Sequence, residues 1–423
     1  MASAADLPVD LVVEIFLRLD DAADLVRASA ACAAFRRVVS DGRFHHRFRS
    51  LHRRPVLGLL SRGFRFHPAE PPRRSAQAGR AVAGAAGFSS SFLPDQAEHC
   101  WHVHDARDGR VLLSPGDATT CLLSFSYLVV YDPLHRKHVQ IPPIPKDIVA
   151  CTCSLQQGCS CGSDCNCECG CEFDPFLVPA DDDEDDWSFR VMCNVLSTDL
   201  EYDSLLETFV YSSVTGKWRG VASLSDTDYE PLYDLSSMDR HYVHGCFYWV
   251  ASYSEKDMLV LDMNEMKFSV VRLPPGTKHK AKVVVKAAAE DRIGLLVLCR
   301  SKMKLHLYTM AFGDPANDCW QWRHDAETTL LDSYLWLFCG AADQGYALLQ
   351  GVPRDEYLAW SSSPEETRPK TNAHYFTVEL QTLLVEQLCV TEFDTELAFV
   401  YASFPPAAFL YASFPPPFAL PSI

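Results

Sequence analysis

Eight cysteines fall within one short stretch, at positions 151, 153, 159, 161, 165, 167, 169 and 171. Paired as Cys-x-Cys, they would present thiolates close together on one loop, an arrangement that soft ions such as zinc or copper(I) favour. The block holds no lysine to offset thiolate charge, and the run "DDDEDD" at 181–186 raises thiol pKa and opposes ionisation. Unpaired thiols on a low-complexity loop are therefore expected, with no required metal site. His99, His102 and His104 surround Cys100, but their alternation reads as strand side chains rather than ligands. The chain has no G-x-S-x-G, no phosphate-binding glycine loop and no H-E-x-x-H. No catalytic residue and no cofactor are expected, and the chain is not read as an enzyme.

The elements that carry these residues belong to a chain of 423 residues with 48% hydrophobic and 22% charged side chains, which excludes wholesale disorder and a coiled-coil rod. A net charge of −17 opposes binding to nucleic acid or to an anionic membrane. Residues 1–80 differ, with 14 Arg, no Lys and 8 acidic residues. Asp6, Asp10 and Glu14 interrupt what would otherwise have to be an apolar targeting core, so a reducing compartment, cytoplasmic and/or nuclear, is expected. The uncharged stretch 397–423 is long enough to span a bilayer, but its prolines at 405, 406, 415, 416, 417 and 421 oppose a spanning helix.

The opening stretch has helical punctuation. Pro8 suits a first turn, Leu11, Ile15 and Leu19 recur every four residues, and Val12 and Phe16 widen that face. A second helix through Leu25 and a third through Phe35 and Val39 follow, with Asp41-Gly42 as the stop. Three helices in this length bury too little alone, so an apolar face left over would want a partner. Residues 51–97 read as an Arg-rich linker with a first strand at 55–60. From about residue 98 short strands alternate with turn signals. Asp108-Gly109 sits between two strand-like runs, and "YLVVYDPLHRKHVQIPPIP", "LLETFVYSSVTGKWRG" and "VHGCFYWVASYSEKDMLVLDMNEMKFSVVRLPPG" repeat the form. A loose repeat of about 40–50 residues is the mark of radially arranged four-stranded sheets.

The expected architecture is therefore mainly β. A three-helix unit (1–50) is followed by the linker (51–97) and a β-propeller of about six blades (98–396). A disordered Cys-rich and acidic insertion (151–186) interrupts the propeller, and a Pro-rich low-complexity tail (397–423) follows it. In that tail "AFVYASFPP" recurs as "AFLYASFPP", which reads as slippage in a dispensable end. A pair of β-sandwiches is the alternative.

The first fifty residues resemble an F-box. Leu7-Pro8, the "EIFLRL" run, Asp24-Leu25, the spacing of Cys32 and Phe35 and the "SDGRF" ending carry the likeness. Phe35 stands where that family usually has Trp. The remainder resembles the kelch-like or F-box-associated region of plant F-box proteins, with His244-Gly245 and Tyr248-Trp249 the clearest unit. The resemblance implies a substrate-recruiting subunit of an SCF-type (Skp-cullin-F-box) ubiquitin ligase. Its F-box would dock a Skp adaptor, and through it a cullin, while the β domain binds an unidentified target protein. Carried over residue by residue, Leu7, Pro8, Leu11, Ile15, Leu19 and Leu25 would contact the adaptor or support that face, unless they are internal core. The alternative is an interaction scaffold whose F-box is vestigial or works outside a ligase, and an enzyme using the propeller's central cavity is a weaker third class.

Overall fold

The computed structural model describes residues 7–19, 22–52, 54–61, 63–85, 88–94, 101–116, 127–149, 170–179, 188–198, 204–225, 238–251, 256–277, 280–286, 292–311, 321–341, 345–364, 367–392 and 408–412. Most of the cysteine block, the acidic run, His99 and Cys100 lie outside them.

The N-terminal unit has four helices: α1 (Val9–Phe16), α2 (Ala22–Ala31), α3 (Ala33–Val39) and α4 (Gly42–Leu51). The fourth corrects the three-helix expectation. Asp41-Gly42, read as a stop, is a start, because the Asp41 carboxylate accepts from Arg43 N at 2.9 Å and Phe44 N at 3.0 Å and so caps α4. Cys32 plays a similar part for α3, its Sγ accepting from Phe35 N at 3.5 Å. Val12, Phe16, Leu17, Leu25, Val38, Val39, Phe44 and Phe48 form the core of this unit. Phe35 packs edge-on against Phe16 with ring centroids 5.1 Å apart, so the smaller aromatic still contacts the core.

Beyond it, β1 (Val56–Ser61) and β2 (Phe66–Pro68) precede α5 (Ala76–Ala85). This helix was not foreseen in a stretch that reads as linker. Its close approach to β1 depends on Gly79, where a Cβ would come within 2.3 Å of the Leu57 carbonyl oxygen.

Five four-stranded antiparallel meanders follow. The first holds β3 (Trp101–Arg107), β4 (Arg110–Pro115), β5 (Leu128–Asp132) and β6 (Lys137–Ile141). The second holds β7 (Gly170–Leu177), β8 (Arg190–Thr198), β9 (Ser204–Ser212) and β10 (Lys217–Ser225). The third holds β11 (Met238–Val243), β12 (Cys246–Ala251), β13 (Asp257–Asp262) and β14 (Lys267–Arg272). The fourth holds β15 (Ala281–Lys286), β16 (Ile293–Cys299), β17 (Lys304–Ala311) and β18 (Gln321–Thr329). The fifth holds β19 (Tyr334–Ala341), β20 (Tyr346–Pro353), β21 (Asn372–Glu379) and β22 (Val385–Glu392), with α6 (Arg354–Ser362) inserted after β20.

The turns explain why these segments pair. Asp108 and Gly109 have φ of 56° and 76°, and His244 and Gly245 have 49° and 76°. Positive φ at both central residues is the type I′ geometry whose twist suits a two-residue hairpin. Wider turns repeat another device. Asp132 Oδ1 accepts from the backbone N–H groups of residues 134 and 135, and Asp262 Oδ1 does the same for 264 and 265. The middle strands are buried on both faces, so "LLVL" or "MLVL" is continuous rather than alternating.

The sheets close into a ring. The first strand of each blade lies innermost, with β3 touching β7, β11 touching β15 and β15 touching β19. Aromatic and aliphatic layers fill the spaces between blades, such as Phe176, Phe247, Trp249 and Phe268 between the second and third. Outer strands are tied by indoles: Trp218 donates to the Pro142 carbonyl at 2.8 Å and Trp322 to the Arg272 carbonyl at 2.7 Å.

Against the expected count of about six blades, the described residues form five of four strands. The sixth place is held by a three-stranded sheet in the order β2-β1-β23, where β23 is Ala408–Ala412. Leu57, Leu60, Phe64 and Tyr411 pack on the first blade, while Val56 and Leu59 pack on the fifth. A strand from the stretch expected to be a dispensable tail thus supplies the innermost strand that closes the ring. The expected insertion is also narrower, since β7 lies inside 151–186 and buries Phe173, Phe176 and Leu177.

Candidate functional site

A short helix on a small core can bury only part of its circumference. In α1 the inward stripe is Val12 and Phe16, each 5% exposed, so these two do not widen the outer face as the sequence suggests. The outward stripe is Leu11 and Ile15, 46% and 41% exposed, with Leu7 at 39% just before the helix. Pro8 is exposed beside them and has φ of −55° at the start of the helix. Leu19 is half-buried and packs on the helical core, and Leu25 is 5% exposed within it. Of the six sequence-derived positions, four therefore share an outward apolar strip, Leu19 lies at its edge and Leu25 supports it from inside. Val9 is also exposed, at the first turn of α1, but it lies in line with the inward-facing Phe16 seven residues on rather than with Leu11 and Ile15.

Polar contacts join the strip's helix to its surroundings. Arg47 of α4 donates to Glu14 Oε1 at 2.7 Å, clamping α4 to α1. His52 Nε2 lies 2.8 Å from the Leu17 carbonyl oxygen while its ring stacks on Phe48 at 4.0 Å. An ion pair between Arg54 and Asp108 links the end of the helical unit to the first hairpin of the ring.

A second polar feature lies among the innermost strands. Arg240 on β11 donates to Asp174 of β7 at 2.5 Å, lies 3.8 Å from Asp105 of β3, and stands over the Phe176 ring at 4.2 Å. Asp105 also accepts from Leu177 N at 3.0 Å. One cation thus joins three blades. Removing one partner of such a buried cluster would leave an uncompensated charge and is costly. The three residues were invisible in the sequence, because each is isolated on a different strand.

Beside it His241 is 1% exposed, with neither ring nitrogen hydrogen-bonded. Burial, and secondarily the Arg240 charge, push its pKa down to about 3. Its folded value lies below the unfolded one, so the unfolded chain binds more protons between these values. Stability is then fully present above about pH 6.5 and is lost as pH falls toward 3, at up to about 1.4 kcal/mol per pH unit. The variant His241→Phe is expected to show a smaller drop in melting temperature between pH 7 and pH 5 than the parent chain, as measured by calorimetry.

His102 and His104 lie on β3 as strand side chains, His104 Nε2 at 2.8 Å from Ser114 Oγ. Cys32, Cys193, Cys246, Cys299 and Cys389 are free thiols among the described residues. Among the described residues no helix is long and apolar enough to cross a membrane.

Comparison with known proteins agrees with this division. Residues 4–50 match the F-box-like family, and residues 102–330, more than half the chain, match the family "F-box protein AT5G49610-like, beta-propeller". No curated protein is matched. Among solved structures, YjhT is similar at 11% identity over 67% of this chain and 81% of that one, with a TM-score of 0.33. The WD40 domain of SCAP from fission yeast is similar at 11% identity over 69% and 76%, with a TM-score of 0.27. The Malassezia sympodialis allergen Mala s 1 is similar at 9% identity over 70% and 92%, with a TM-score of 0.30. Likenesses this distant carry no weight for function. An F-box-like region, a ring of blades and a family match spanning the first four blades converge: the chain belongs to the F-box proteins of the AT5G49610-like, β-propeller family.

Proposed function

We propose that this chain is the substrate-recruiting subunit of an SCF-type ubiquitin ligase. The α1 strip docks a Skp-type adaptor, which leads to a cullin, and the propeller holds a target protein. The observation that carries the reading is the outward strip of Leu7, Pro8, Leu11 and Ile15 on a helical unit of the F-box-like region. Full burial of a Leu or Ile side chain contributes about 1.5–3 kcal/mol, so several such residues covered together can support a stable complex. In this role the chain performs no bond chemistry. It raises the effective concentration of target near a ubiquitin-loaded enzyme supplied by other subunits. The setting proposed is cytoplasmic or nuclear, and a net charge of −17 fits a role without nucleic acid or membrane contact.

The test is affinity purification of the intact chain against a deletion of residues 1–50. Adaptor and cullin are expected with the intact chain only, while propeller-bound proteins remain with both. At least one of those proteins is expected to accumulate when the cullin is inhibited. Adaptor binding without any cullin-dependent change, or propeller-bound proteins without the adaptor, would favour the scaffold reading, and absence of the adaptor would overturn the ligase reading.

A further inference from the structure

On the outer part of the fourth blade, β17 and β18 pair with Leu307 opposite Ala326 but Tyr308 opposite His324, which leaves Asp325 as an extra residue. This bulge decides which side chains meet. In a regular strand, residues three apart point to opposite faces, so His324 and Glu327 would be separated by the sheet. The extra residue returns His324 to the face of Glu327, and bulges characteristically re-aim side chains in this way. His306, cross-strand from Glu327, completes a set of three. His306 Nδ1 lies 3.1 Å from His324 Nε2 and 3.4 Å from Glu327 Oε2, and one ligand atom from each of the three lies within 4.8 Å of the others.

We propose that His306, His324 and Glu327 bind a divalent transition ion of the zinc type, with a fourth position left to water. Two imidazole nitrogens and one carboxylate oxygen form a donor set that suits zinc. The spacing fits too, because zinc–ligand bonds of about 2.0–2.1 Å in a tetrahedron place neighbouring donor atoms roughly 3.3 Å apart. The two closest pairs lie on either side of that value. The trio also places two ring nitrogens face to face. A metal uses both lone pairs, whereas a hydrogen bond uses one. Lys304 opposes the ion, since its ammonium already pairs with Glu327. That competition gives the proposal a signature that a purely structural cluster lacks.

The experiment uses the full chain, stripped of metal, with the reduced cysteine block present in every variant. Equilibrium titration with Zn2+ is expected to give one equivalent more for the parent than for His324→Ala, whose altered side chain is exposed. Glu327→Gln should weaken that equivalent at least ~10-fold, and Lys304→Gln should tighten it several-fold. Co2+ in place of zinc should add visible bands for this equivalent without a thiolate charge-transfer band. Circular dichroism checks that each variant is folded. Equal stoichiometry and affinity in the parent and a folded His324→Ala would overturn the proposal, as would an extra equivalent that carries the thiolate band.

Discussion

Replacing Tyr411 with alanine is expected to destabilise the ring by about 3–5 kcal/mol. At this size that is a fall in melting temperature of about 5–10 °C. The side chain is 1% exposed, its hydroxyl donates to the Gly109 carbonyl at 3.1 Å, and its ring meets those of Phe88 and Phe66 edge-on at 5.1 and 5.7 Å. It therefore links β23 both to β1's neighbours and to the first hairpin of the first blade. Without β23, the backbone groups of β1 that pair with residues 408–412 lose their partners, and the ring loses its innermost strand at that place. The tail duplication adds a complication that the test must meet. Residues 398–402, "AFVYA", repeat 408–412, "AFLYA", with Val for Leu, so a ten-residue slip would offer a second tyrosine. The decisive variant is Tyr401→Ala combined with Tyr411→Ala, followed by differential scanning calorimetry. An unchanged melting temperature in the double variant would show that β23 does not close the ring.

The parts of this fold that depend on local chemistry were readable from the sequence. Asp108-Gly109 announced its hairpin because glycine and a short polar neighbour favour positive φ, whereas the same geometry at His244-Gly245 was not read as a turn. "FYWV" and "LLVL" announced buried strands because aromatic and branched side chains fill a pleated surface. What depends on distant partners was not readable. Nothing in "AFLYA" distinguishes a closing strand from a spare repeat until β1, roughly 350 residues earlier in the sequence, is placed beside it. Asp41-Gly42 was misread because the same pair can end one helix or cap the next, and the core contacts of Phe44 and Phe48 decide between them. The Arg240 cluster joins three strands that share no local pattern, and the bulge at Asp325 cannot be seen without the register of β17. At the α1 strip the ladder Leu11-Ile15 was legible. Which stripe faced outward was not, because an apolar period does not record the side on which the core lies.

The second large effect concerns that strip. Leu11→Asp combined with Ile15→Asp would place two carboxylates where an adaptor is expected to exclude water, and a buried unpaired charge costs several kcal/mol. A loss of at least 100-fold in affinity is expected, equivalent to about 2.7 kcal/mol. Both side chains are exposed in the free chain, so the substitution leaves the helical core of Val12, Phe16 and Leu25 untouched, and stability should change little. Leu25→Asp would differ, abolishing binding only by unfolding the unit. The most direct measurement is the dissociation constant of the full chain with a purified Skp-type adaptor, taken for the parent and for the Leu11→Asp/Ile15→Asp variant at equal helical content. Tight binding by the parent and its loss in the variant is the predicted result. Undiminished binding by the folded variant, or none by the parent, would contradict it.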